Sequence, residues 1–239
     1  RDRALFVCST GYNNTAVGMN ALKANTTANE NTAVGYAALS VNTTGQYNTA
    51  VGSSALDAVT TSNFNTGIGY SAGGAVTTGA GNTLLGYETG MAVTTEHGNT
   101  FLGYIAGNDA TSAYNTFVGW NAGQYVTSGA KNTIIGSYNG NQDGLDIRTS
   151  SNNIVLSDGD GNSRMHINNQ GQTHSKMTGA DKVLLLENTN ASNPDMLDLF
   201  FSGTDPDNNS RYFVRGRDTS LYRFYICLLY TSPSPRDTR

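Results

Sequence analysis

The sequence predicts an all-β protein: a parallel β-solenoid or β-roll of 17-residue repeats, followed by a β-hairpin and a small antiparallel β region. Three observations carry this. A phrase of Asn-Thr, two small or apolar residues and Gly recurs at Asn14, Asn31, Asn48, Asn65, Asn82, Asn99, Asn115 and Asn132, at steps of 17 except for 16 between Asn99 and Asn115. A fixed period of this size marks a repeat architecture. The apolar residues come in short runs between Gly, Thr and Asn, and no 3.6-residue apolar period is present, which argues against helices. Charged residues are 13% of the chain, about half of what an ordinary globular protein carries.

In a solenoid the same position of successive turns stacks on itself, so each column has one job. With the Asn as position zero, position three is always a sizeable aliphatic, from Val17 and Val34 to Leu102, Val118 and Ile135. That column is expected to be the core. Position four is always Gly, suited to a corner with positive φ or close backbone approach. Position seven is Ala or a near-equivalent, from Ala21 to Ala122, and position eight is Leu and later Gly, a small second column facing the first. Position twelve is Thr, from Thr26 to Thr127, marking a second turn. Each repeat then holds two short strands and two turns, at about 4.8 Å per rung. The Asn and Thr columns should form side-chain hydrogen-bond ladders along the rod. At position two, Ala16, Ala33 and Ala50 give way to Leu84, Phe101, Phe117 and Ile134. This predicts a face that widens toward the C-terminus and that a lone chain would leave exposed.

The repeat shaft is assigned to residues 1–142. Shifting the frame back by one repeat puts Ala4-Leu5 on positions seven and eight and Ser9-Thr10-Gly11 on the Thr turn, so the chain opens in mid-rung, without an initiator Met. A natural N-terminus upstream is expected. Residues 143–181 form a transition with a β-hairpin, in which Ile154-Val155-Leu156 and Arg164-Met165-His166-Ile167 flank the turn Asp158-Gly159-Asp160-Gly161-Asn162. Residues 182–226 supply four strands of a truncated antiparallel domain, "KVLLLENT", "MLDLFFSG", "RYFVRG" and "LYRFYI". Residues 227–239, beginning "CLLYTSPSPRD", read as translated sequencing adaptor rather than natural protein. With that segment set aside, Cys8 remains and implies no disulfide framework.

The net charge is −4, and without a basic stripe this argues against nucleic acid. No apolar run approaches the ~20 residues of a membrane span. No nucleophile elbow, zinc-binding H-E-x-x-H or phosphate-cradling loop is present. The Asp158–Asn162 turn lacks the terminal carboxylate of a calcium loop, and His166 and His174 have no Cys or carboxylate partner at ligand spacing. Arg211, Arg215, Arg217 and Arg223 are read as a solvated strand face rather than an anion patch. No catalytic, cofactor-binding or metal-binding residue is assigned, and the chain is expected not to be an enzyme. The few large side chains per rung predict burial between chains.

Taken in order, "NTAVGYAALSVNTTGQYNTAVG" from Asn31, "NNIVLSDGDGNSRMHINNQGQ" from Asn152 and "LLLENTNASNPDMLDLFFSGTDPDNNSRYFVRGRDTSLYRFYI" from Leu184 resemble the shaft and distal region of bacteriophage tail fibre proteins of environmental and marine phages. The repeat is also similar, more loosely, to the head repeats of trimeric autotransporter adhesins. The resemblance implies an elongated homotrimeric virion component that contacts a host receptor or glycan and other tail or baseplate proteins. It also implies a self-cleaving chaperone of the endosialidase type beyond the matching region. A bacterial trimeric adhesin head is the second reading, and a tailspike-like polysaccharide depolymerase, which would need carboxylates gathered in a groove, is the third.

Overall fold

The computed structural model describes residues 3–176 and the strands Val214–Arg217 and Tyr222–Ile226. The chain divides into two units, Arg1–Val183 and Leu184–Arg239.

The first unit is a β-solenoid with a three-residue strand in each turn. These strands are β1 (Thr15–Val17), β2 (Thr32–Val34), β3 (Thr49–Val51), β4 (Thr66–Ile68), β5 (Thr83–Leu85), β6 (Thr100–Leu102), β7 (Thr116–Val118) and β8 (Thr133–Ile135). Each pairs in parallel with the next, Thr against Thr, in unbroken register from Thr15–Thr32 to Thr116–Thr133. The second strand expected in each repeat does not form. The segment after the Gly corner carries left-handed residues at positions six and eight, such as Ala37 (φ 56°) and Leu39 (φ 49°), and a strand cannot be built through them.

Position zero is the buried polar spine. Asn31, Asn48, Asn65, Asn82, Asn99, Asn115 and Asn132 have no solvent exposure. Each Oδ1 accepts the backbone N–H of the next Asn, as in Asn82 N to Asn65 Oδ1 and Asn99 N to Asn82 Oδ1, both 3.0 Å. Each Nδ2 donates to a turn carbonyl of its own rung, as in Asn65 to Gly79 O and Asn82 to Glu96 O, both 2.9 Å. The Thr column forms the second expected ladder, with Thr26 Oγ1 donating to Thr43 O and Thr43 Oγ1 to Thr60 O at 3.1 Å. The mid-rung start holds as well: Leu5 N donates to Ala21 O at 3.0 Å, as Leu22 N does to Ala38 O. The short repeat omits one residue of the Thr turn, and Asn99 Nδ2 still reaches its turn carbonyl, at Ser112, at 3.0 Å.

The core differs from the expectation. Position two points inward and position three outward. Side chains alternate along a strand, so the buried Asn at zero commits position two to the same side. Phe101, Phe117 and Ile134 are fully buried within the single chain, not exposed as expected. Positions two and eight share one volume. Ala33 and Ala50 sit with Leu39 and Leu56, whereas Leu84, Phe101 and Phe117 sit over Gly90, Gly107 and Gly123. A Cβ on Gly107 would lie 2.5 Å from Phe101 Cδ2, and one on Gly123 2.5 Å from Phe117 Cε2. Val59, Val76, Val93, Ala110 and Val126 at position eleven complete the core. The position-four Gly fulfils its expected role: Gly18 has φ 122°, and a Cβ there would meet Gly35 O at 2.6 Å.

The period lost in sequence after Asn141 persists in space. The small hairpin of β9 (Asn141–Gln142) and β10 (Leu145–Asp146) is an insertion in the eighth turn, and a ninth turn opens with β11 (Ile154–Ser157). Tyr138 and Ile147 are buried within the eighth turn, Tyr138 donating its hydroxyl to Leu145 O at 2.7 Å. β11 pairs in parallel with β8, Val155 opposite Ile134. The solenoid therefore runs beyond the boundary placed at residue 142. β12 (Ser163–Ile167) folds back on β11 as the expected hairpin, and β13 (Thr173–Ser175), not expected, adds an antiparallel edge.

In the second unit, β14 (Val214–Arg217) and β15 (Tyr222–Ile226) pair antiparallel, Val214 opposite Ile226. They fall in two of the four expected segments. "KVLLLENT" and "MLDLFFSG", Arg211 and residues 227–239 lie outside the described residues.

Candidate functional surface

The outward face of the parallel sheet is the most distinctive surface of the solenoid. Thr occupies position one in all eight strands, and position three, expected inside, is an aliphatic ribbon beside it. Val17 is 57% exposed, Ile68 38%, Leu102 44% and Ile135 48%. Just past the Gly corner, position five adds an exposed aromatic column. Tyr70, Tyr87 and Tyr104 stack with centroids 5.3 Å apart, and Trp120 lies 4.2 Å from Tyr104. The spacing follows from the rung height of about 4.8 Å, which makes aromatic rings in one column lie face to face. Such stacking turns ring edges, not faces, to solvent, except at the column ends beside Ser53 and Ser137. Tyr47 and Phe64 form a second short stack at 5.2 Å.

Across positions one to five of eight turns there is no charged residue. The charges of the repeat region, Lys23, Glu30, Asp57, Glu88, Glu96, Asp109 and Lys131, all sit at other positions. The bare face is about 40 Å long and about 15 Å wide from strand geometry, near 600 Å², against ~800 Å² per partner in a standard interface. Sequence reasoning missed this face by assigning position three to the core. The reciprocal change of positions two and eight was the signal that could have found it.

The polar candidates are spent on local structure. Asp158 Oδ1 accepts the backbone N–H of Asp160 at 3.0 Å and of Asn162 at 2.9 Å, and Oδ2 accepts Arg164 Nε at 2.8 Å. Desolvation pushes this carboxyl up, but the bonds from Asn162 and Arg164 outweigh it and hold its pKa below the usual value. Glu96 follows the same pattern: desolvation is outweighed by the backbone N–H groups of Thr94 and Thr95, and its pKa is lowered. Arg148 grips Asp146 through Nε and a second nitrogen at 3.0 and 2.8 Å, beside a shallow groove lined by Asp109, Tyr125 and Thr149. Arg215 and Arg217 lie on β14 and Arg223 on β15. Among the described residues no three His, Cys, Asp or Glu side chains cluster as metal ligands, and no helix is long and apolar enough to cross a membrane.

Fold and surface together define a parallel β-solenoid with a buried Asn ladder, a partly exposed Thr ladder and one uncharged, apolar outer face along β1 to β8. No protein-family model matches the chain, and neither the curated proteins nor the solved structures compared with it yield a match.

Proposed function

We propose that the solenoid is the shaft of a homotrimeric fibre, with the face of positions one, three and five buried between copies. On this reading the chain is a structural, non-enzymatic virion component, a phage tail fibre segment that contributes to attachment at a host surface. One observation carries the association: a ribbon of exposed aliphatic and aromatic side chains runs along the eight parallel strands β1 to β8 without a single charge. An apolar patch of this extent on a soluble molecule marks a contact surface. A second copy suits it because the ribbon is uncharged on both copies and repeats at one rung height, so like columns meet without repulsion. The trimer, the virion and the host contact come from the resemblance of the three segments to tail fibres, which the column chemistry supports without specifying.

Light scattering behind a sizing column tests it on the full chain, with three chain masses expected. The double variant Ile68→Glu/Leu102→Glu should fall to one chain mass with an unchanged circular dichroism spectrum, since both side chains face outward. A parent chain stable at one chain mass would overturn the proposal.

A further inference from the structure

The Asn ladder ends on a histidine. Every Asn Oδ1 from Asn14 to Asn132 accepts the N–H of the next Asn in the column, the last bond being Asn153 N to Asn132 Oδ1 at 2.8 Å. Asn153 has no such successor. Its Nδ2 donates to Asn132 Oδ1 at 3.0 Å, Ser150 Oγ at 3.1 Å and Ser151 O at 3.2 Å, so its Oδ1 is the acceptor left over. His166 Nε2 lies 3.0 Å from it. An amide oxygen only accepts, so Nε2 carries the proton, and the neutral ring keeps its lone pair on Nδ1. The anchor is rigid, since Asn153 is 2% exposed.

β13 then sets His174 directly opposite His166. Opposite residues have Cβ atoms about 5 Å apart, and the two rings lie 6.0 Å apart with planes 22° from parallel. Burial first, and His174 second, lower the basicity of His166, which favours the neutral ring. His174 is exposed and can turn toward its partner. Neighbouring cations are engaged elsewhere: Arg164 by Asp158, and Lys176 by Asp143 at 2.6 Å.

We propose that His166 and His174 form a two-imidazole surface site for a divalent late transition-metal ion, Cu2+ first and Ni2+ or Zn2+ after it, with water completing the coordination. Imidazole suits these ions, whereas Ca2+ and Mg2+ take oxygen ligands. The Asn153 carbonyl on Nε2–H is the outer partner that ligating histidines usually have, fixing tautomer and ring orientation. The site belongs to a single chain and does not depend on self-association. In the sequence the two histidines stand eight residues apart with no Cys or carboxylate at ligand spacing, and only the β12–β13 register joins them.

The test is titration of the full chain with Cu2+ alone, followed by calorimetry and electron paramagnetic resonance. One ion per chain with nitrogen hyperfine from two imidazoles is expected. His174→Ala, an exposed substitution whose fold is checked by circular dichroism, should weaken binding at least tenfold, and His166→Ala should do the same. His97→Ala should leave it unchanged, and Ca2+ should give no heat. Cu2+ affinity in His174→Ala equal to that of the parent, or its loss in His97→Ala, would overturn the site.

Discussion

Asn82→Ala tests whether the ladder holds the solenoid together. Asn82 Oδ1 accepts the N–H of Asn99 at 3.0 Å, and its Nδ2 donates to Glu96 O at 2.9 Å and Asn65 Oδ1 at 3.2 Å. Asn99 is fully buried, so alanine leaves its N–H without an acceptor and the Glu96 carbonyl without a donor. Each orphaned group costs about 1–3 kcal/mol, which puts the substitution at about 2–6 kcal/mol. Asn82→Asp separates hydrogen bonding from shape. One carboxylate oxygen still accepts from Asn99, but the other faces two acceptors, Glu96 O and Asn65 Oδ1. The folded state then favours the protonated acid and raises its pKa above the unfolded value of about 3.9. A raised acid pKa penalises folding above the unfolded value and leaves no penalty below it. The aspartate variant should therefore be worst at neutral pH and recover toward pH 4. Chemical denaturation of the full chain across this range measures both variants, with amide exchange at Asn99 as the local readout. Thr83→Ala on the exposed strand face is the control, expected within about 0.5 kcal/mol of the parent. Asn82→Ala within that same margin would refute the claim that the ladder is energetically required.

Phe101→Ala alone should cost about 3–5 kcal/mol, and Gly107→Leu alone should overpack against the Phe101 ring. Made together they recreate the Ala-and-Leu pairing of the first turns, and a double-mutant cycle should show favourable coupling of at least about 1 kcal/mol. Asn25→Val should stabilise by about 1 kcal/mol in denaturant melts: Asn25 Oδ1 is buried without a partner, and from Val59 on the column is mostly Val. His166 has a pKa below its ordinary 6.5, so the unfolded chain binds more protons than the folded one below that pH. Amide protection factors in β12 and β13, with the intrinsic base-catalysed rate divided out, should fall as pH drops below 6.5, and unchanged or higher protection would contradict the burial of that ring. Trp120 is the single tryptophan and is 58% exposed, so its emission should be red-shifted in the Ile68→Glu/Leu102→Glu variant and blue-shifted in the assembled parent.

The repeat period, the all-β class, the Asn and Thr ladders, the Gly corner and the β11–β12 hairpin were legible because each rests on local chemistry repeated at a fixed spacing. The short turn at Ser112 was absorbed without loss of register because the omitted residue lies in a turn. The functional face was not legible in the same way. Two adjacent apolar residues in a three-residue strand look alike in sequence, and either can be assigned to the core.

What the sequence determined by itself is the stacking: a residue recurring every 17 positions meets its own kind, whichever way it points. Which column faces in was decided only by the closed turn, where the buried Asn commits position two to the interior and Gly at position eight makes room for the rings of Phe101 and Phe117. The ninth turn and the His166–His174 pair were likewise decided in three dimensions. A four-residue insertion hides the continuing period, and residues eight apart become neighbours only when β12 and β13 pair in one register out of several open to them.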